Sequence, residues 1–115
     1  MTTYEQGAIV VLPFPFVGQR ETKLRPALVL SVPHPEKRYP GDFVIAPITS
    51  QFTEPLRLGE IRLPANAGTG LKVPSVVRLD TVMTVQVEQI SKQIGTAKRY
   101  WPDIVGEFKR VFLIP

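Results

Sequence analysis

Proline punctuates this chain, at Pro13, Pro15, Pro26, Pro33, Pro35, Pro40, Pro47, Pro55, Pro64, Pro74, Pro102 and Pro115. Each proline lacks an amide donor and holds φ near −65°, so it interrupts a helix interior or a central ladder. Between the prolines lie short runs rich in aliphatic and β-branched residues. They predict strands over Ala8 to Leu12, Ala27 to Val32, Asp42 to Thr49, Leu56 to Leu63, Ser75 to Leu79 and Val82 to Val87. A short piece around Gln89 to Ile94 is expected to close the sheet. Many short strands in one small chain point to a mainly β fold, a barrel or a sandwich.

Details of the runs add constraints. The second and third are almost wholly apolar, which predicts burial on both faces. In the fourth, Leu56 and Leu58 alternate in one phase, and Ile61 and Leu63 in the other. Strand period is two, so a bulge or turn is expected at Gly59-Glu60. Pro47 has no proton for a ladder and must face an edge or an irregularity. From Pro102 to Leu113 the period changes. Ile104, Val105, Phe108, Val111 and Phe112 fall on one helical face, and Asp103, Glu107, Lys109 and Arg110 on the other. Acids early and bases late suit the helix dipole, and Pro102 suits a first turn. A C-terminal helix lying on the barrel is the expectation.

Length and composition bound the rest. A chain of 115 residues fits one domain spanning 1–115, with 43% hydrophobic residues to build its core. Without cysteine there are no disulfides and no thiolate metal sites. With His34 as the single histidine, a two-histidine metal site or a two-histidine ribonuclease mechanism is excluded within one chain. No metal and no cofactor is expected. No run approaches the roughly 20 apolar residues that span a bilayer, and the N-terminus has no signal-peptide pattern. A cytoplasmic protein with no membrane partner is the expectation. The net charge of +4 favours acidic partners such as nucleic acid, although many small soluble proteins are as basic.

The residues that could carry chemistry follow from strand pairing. If the second and third strands are antiparallel neighbours, Arg25 sits beside Thr49 and Ser50. A guanidinium next to two hydroxyls at a sheet end is a prospective phosphate site. The plain alternative is a surface arginine beside strand-end hydroxyls that cap backbone. Arg78 and Asp80 are two apart, hence on one face of a strand. They are either an acid/base pair or a surface ion pair worth about 0–1 kcal/mol. His34, between Pro33 and Pro35, belongs to the opposite end of the hairpin from Arg25. Two loops would flank the site. In the first, Arg20 and Lys23 could meet phosphates and Gln19 a base edge. In the second, Gln51 could read a base edge, and Phe52 either stacks on a base or packs beneath its own loop.

Four segments carry a resemblance: Gly7 to Phe16, Arg25-Pro26-Ala27-Leu28-Val29-Leu30, Ala46-Pro47-Ile48-Thr49-Ser50-Gln51 and Ser75-Val76-Val77-Arg78-Leu79-Asp80. In this order and spacing they resemble the MazF/PemK family of toxins from bacterial toxin–antitoxin pairs. The resemblance spans roughly residues 7 to 95 and weakens toward the C-terminus. It implies a small SH3-like barrel of the CcdB/MazF kind with a C-terminal helix. It implies an endoribonuclease, an mRNA interferase, that cuts single-stranded RNA at specific sequences. The ribose 2′-hydroxyl would attack its neighbouring phosphate without metal, leaving a 2′,3′-cyclic phosphate and a 5′-hydroxyl. It also implies a homodimer with RNA along the interface groove, and a cognate antitoxin that occupies that groove and forms a DNA-binding complex with the toxin. By the same resemblance Arg25 and Thr49 act at the scissile phosphate, and in one branch of the family Arg78 and Asp80 are catalytic. The chain departs from that branch where Gln19 stands near a family histidine and Ala8 replaces an acid, so the general base is left open.

Two other readings remain. A gyrase poison of the CcdB type shares the barrel, but those toxins rely on a terminal Trp-Gly-Ile, and this sequence ends Phe112-Leu113-Ile114-Pro115. A non-catalytic barrel that binds RNA or protein is the other.

Overall fold

A computed structural model describes residues 3–14 and 23–115. Among them are β1 (Ala8–Pro13), β2 (Leu24–Val29), β3 (Asp42–Thr49), β4 (Glu60–Leu63), β5 (Ser75–Arg78), β6 (Met83–Gln86), β7 (Lys92–Thr96) and α1 (Trp101–Val111). Single 3-10 turns stand at Val87–Gln89 and Lys98–Tyr100. The strands form one curled antiparallel sheet in the order β4-β5-β3-β2-β1-β7, with β6 also on β3. A mainly β half-barrel with one C-terminal helix is therefore the fold, as the proline spacing and the resemblance led us to expect.

β3 organises the curl. Its first half, Asp42 to Ile45, pairs with β6, and its end, Ile48-Thr49, pairs with β5. Pro47 lies where that edge changes partner, so its missing proton falls at an irregularity. Along its other edge β3 pairs with β2. Because β1, β2 and β3 are covered on both faces, alternate side chains feed two cores. Val10, Leu12, Ala27, Val29, Phe43 and Ile45 fill one. Ile9, Leu28, Ala46, Ile48, Val77 and Leu79 fill the other, with Ile104 of α1.

The ends of the sheet are brought together by a loop rather than by a strand pair. After β4 the chain turns at Thr69, whose hydroxyl is buried and donates to the Pro64 carbonyl at 2.7 Å. The Gly68 carbonyl accepts the Thr96 amide of β7 at 2.9 Å. The backbones touch so closely that a Cβ on Gly70 would stand 2.0 Å from the Ile94 oxygen, and one on Gly95 would stand 2.1 Å from the Thr69 oxygen. Gly70 also has φ +71°, where side chains are disfavoured. This contact carries residues 70 to 73 over the sheet toward β2 and β3.

Several boundaries differ from expectation. The second strand begins earlier, with Arg25 and Pro26 inside it and paired to Leu12 and Val11 of β1. The fourth begins only at Glu60, since the residues before it form a turn, and the phase change at Gly59-Glu60 marks that start. The seventh runs later, Lys92–Thr96, because a 3-10 turn takes up Val87–Gln89. The fifth strand ends at Arg78, so Asp80 lies in the turn beyond. Within α1, Glu107 is buried rather than solvated. Its carboxylate accepts the Gly59 amide at 2.7 Å and pairs with Arg110 at 2.7 Å. Among the described residues, no helix is long and apolar enough to cross a membrane.

Candidate nucleic-acid interface

The β2–β3 register pairs Ala27 with Pro47 and Leu28 with Ala46. The pairing ends at Ala27 and Pro47, and Arg25 and Thr49 lie two residues beyond it at the same end of the two strands. Both line an open groove of about 650 Å³, with Lys23, Ser50 and Gln51. Thr49 accepts the Gln51 amide on its Oγ1 at 3.0 Å. A hydroxyl has one proton and two lone pairs, so this bond orients the oxygen and leaves the proton able to donate.

The opposite wall was not legible beforehand. Lys72 and Val73 arrive on the loop held by Gly70, and Lys92 and Ile94 on β7. Among the described lining residues the charged ones are Lys23, Arg25, Lys72 and Lys92, and every one is basic. Val11, Leu24, Ile48 and Val73 add apolar surface between them. Charge of one sign over an apolar floor suits a chain of phosphates bearing flat bases. Lys72 and Lys92 are 20 residues apart in sequence, and only barrel closure brings them together.

Other expected site residues fall elsewhere. Phe52 is half-buried and is not among the groove-lining residues, in line with packing beneath its loop. Gln19 and Arg20 lie outside the described residues. His34 is exposed in the β2–β3 connection, where its Nδ1 accepts the Glu36 amide at 3.1 Å, at the far end of β2 from Arg25.

Arg78 and Asp80 line a separate cavity of about 200 Å³ with Arg57, Glu60 and Thr81. They do not form the surface ion pair considered from their spacing. Arg78 instead pairs across the strands with Glu60, Nε to Oε2 at 3.1 Å, as the β4–β5 register dictates. Its Nη2 donates to the Gln51 carbonyl at 2.9 Å. Asp80 is exposed and accepts the Thr81 hydroxyl at 3.1 Å. Glu60 is buried, with its carboxyl held below the usual range. The main cause is the Arg57 amide, which donates to Oε1 at 2.8 Å. The Arg78 bond and charge add to it, and burial opposes. Among the described residues, no group of three His, Asp or Glu side chains is arranged to hold a metal ion.

The family model for PemK-like, MazF-like toxins of type II toxin–antitoxin systems matches residues 5–105. The chain is a member of that family. Solved structures agree in fold. A Mycobacterium tuberculosis toxin, MazF-mt6, is 24% identical, with a TM-score of 0.73, 94% of this chain and 98% of that chain being covered. A toxin described as from Mtb is 30% identical over 76% of this chain and 92% of its own, with a TM-score of 0.59. An endoribonuclease from a mycobacterial species, solved in complex with its cognate antitoxin, is 15% identical with a TM-score of 0.72, and 98% of each chain is covered. No curated protein sequence matches the chain.

Proposed function

We propose that this toxin is an endoribonuclease that cuts single-stranded RNA at a specific sequence, by metal-independent attack of the 2′-hydroxyl on the adjacent phosphate. The observation that carries the reading is that Arg25 and Thr49 line one groove whose described charged residues are all basic. As the attack proceeds, negative charge builds on the phosphoryl oxygens. The Arg25 fork and the Thr49 proton are suited to bind those oxygens, and they gain most in the transition state. The products would be a 2′,3′-cyclic phosphate and a 5′-hydroxyl. Ser50, Gln51 and Lys23 would hold flanking nucleotides. Asp80, exposed in the adjoining cavity, is the candidate acceptor of the 2′-hydroxyl proton. A cognate antitoxin, a DNA-binding complex with it, a homodimer and a cytoplasmic site belong to the same reading. The antitoxin is supported by the mycobacterial relative solved with its own.

The test is to incubate the purified protein with a long natural RNA, with and without excess chelator, and to map the cut ends. The expected result is cutting at one recurring short sequence, 5′-hydroxyl ends, and no effect of chelator. A substrate with deoxyribose on the 5′ side of the cut should resist. A magnesium requirement or 5′-phosphate ends would refute the mechanism. RNA retention without cutting would favour a non-catalytic binding barrel.

A further inference from the structure

The geometry points to Glu60 and Arg78 as a clamp that sets the Ser50-Gln51 turn, and through it the Thr49 hydroxyl. Both are positioning residues rather than groups that touch RNA. The inference rests on the ribonuclease reading and deepens it. The contacts form one unbroken chain. The Arg57 amide donates to Glu60 Oε1, and Glu60 Oε2 accepts from Arg78 Nε. Arg78 Nη2 then holds the Gln51 carbonyl, and the Gln51 amide donates to Thr49 Oγ1. The one residue gripped at both backbone groups, Gln51, lines the groove, whereas Arg78 and Glu60 line the cavity beside it.

The chemistry of each member fits holding rather than reacting. Glu60 is buried, so its carboxylate serves two donors and cannot reach a substrate in the groove. Arg78 directs two donors of a rigid fork at protein acceptors at once, Glu60 and Gln51. A lysine could keep the charge pair but not both directions. The turn after β3 has no ladder partner at Gln51, so the arginine supplies the restraint that a strand would have given.

Glu60→Gln and Arg78→Lys test this together. Each should slow single-turnover cleavage at saturating RNA by about 10–100-fold, the range for a small misplacement near the chemistry. KM should rise by less than the rate falls, since the turn that holds flanking nucleotides is loosened but no RNA-contacting side chain is removed. The pH profile should keep its shape. The double variant should be no slower than the slower single, because both break one clamp. Hydrogen exchange at the Gln51 amide should quicken in each, with the sheet amides unchanged. A Glu60→Gln enzyme at wild-type rate beside a dead Arg78→Lys enzyme would overturn the clamp and send Arg78 to the RNA. An unchanged Gln51 amide in both variants would overturn it whatever the rates. If the wild type cuts no RNA, the ribonuclease reading falls, and the exchange measurement alone judges the clamp.

Discussion

The groove and the smaller cavity, linked by the hydrogen bond from Arg78 to the Gln51 carbonyl, handle charge in opposite ways. The groove gathers Lys23, Arg25, Lys72 and Lys92 and no carboxylate among its described lining residues. The smaller cavity mixes Arg57 and Arg78 with Glu60 and Asp80. In the second, cation and anion satisfy each other, and Glu60 is drawn into a closed network at the root of β4. In the first, the field has one sign and suits an anion from outside. Arg25 on β2 and Arg78 on β5 thus stand on either side of β3, one lining a groove whose described charges are all basic and the other paired with Glu60.

The sharpest way to break this contrast is Arg25→Ala. Cleavage should fall by about 10²–10³-fold or more with the fold intact by circular dichroism, as expected when a main charge-stabilising donor is removed. Arg25→Lys should also be poor, because an ammonium cannot reproduce the planar fork. Wild-type cleavage by Arg25→Ala would remove the groove from the reaction.

Thr49→Ala beside Asp80→Asn sharpens it next, by single-turnover cleavage of one short RNA across a pH range. Thr49→Ala should lose about 10²-fold, for a single hydroxyl donor at the phosphate. If Asp80 is the base, Asp80→Asn should lose about 10²–10⁴-fold with a changed pH profile. A near-normal Thr49→Ala enzyme beside a dead Asp80→Asn enzyme would move the reaction centre into the second cavity.

Smaller effects belong to the far wall. Lys72→Ala and Lys92→Ala should each weaken binding to single-stranded RNA and reduce the slope of log K against log salt by about 0.7. The rate at saturating RNA should hold. An unchanged slope would remove that wall from the interface.

The smallest effect is in stability. The folded-state pKa of Glu60 lies below its ordinary value of 4.5. A depressed carboxylate stabilises the fold above its unfolded pKa, and that contribution is lost as pH falls through the folded value. Denaturant titrations of wild type and Glu60→Gln should differ by a constant amount from neutral pH down to about 5, and should converge below 4.5. A gap that widens on acidification would contradict the depressed pKa.

Legibility followed the range of the interaction. The Arg25–Thr49 juxtaposition could be read in advance because two apolar runs in one hairpin have few registers that bury both. The helix is readable from its period, whereas Glu107, on its polar face by sequence, is buried. Charge marks a residue as solvated until a buried donor needs it, and that donor, the Gly59 amide, is 48 residues away. The Arg78–Asp80 spacing put both residues at one cavity but did not foretell that Arg78 pairs with Glu60 rather than Asp80. A same-face rule holds only while the strand lasts, and β5 stops at Arg78.

Sequence by itself determined the local grammar of this protein. Prolines bounded the strands, apolar runs set which strands were doubly buried, and the hairpin put Arg25 and Thr49 at one end of the sheet, lining one groove. Tertiary structure alone decided what stands across from that pair. Lys72 and Lys92 reach the groove only because Gly70 and Gly95 let two backbones pass within contact. Glu60 meets Arg78 only because β4 and β5 pair in one register. Period and register are written within a few neighbouring residues. The meeting of distant loops depends on how the whole sheet curls to bury both of its faces.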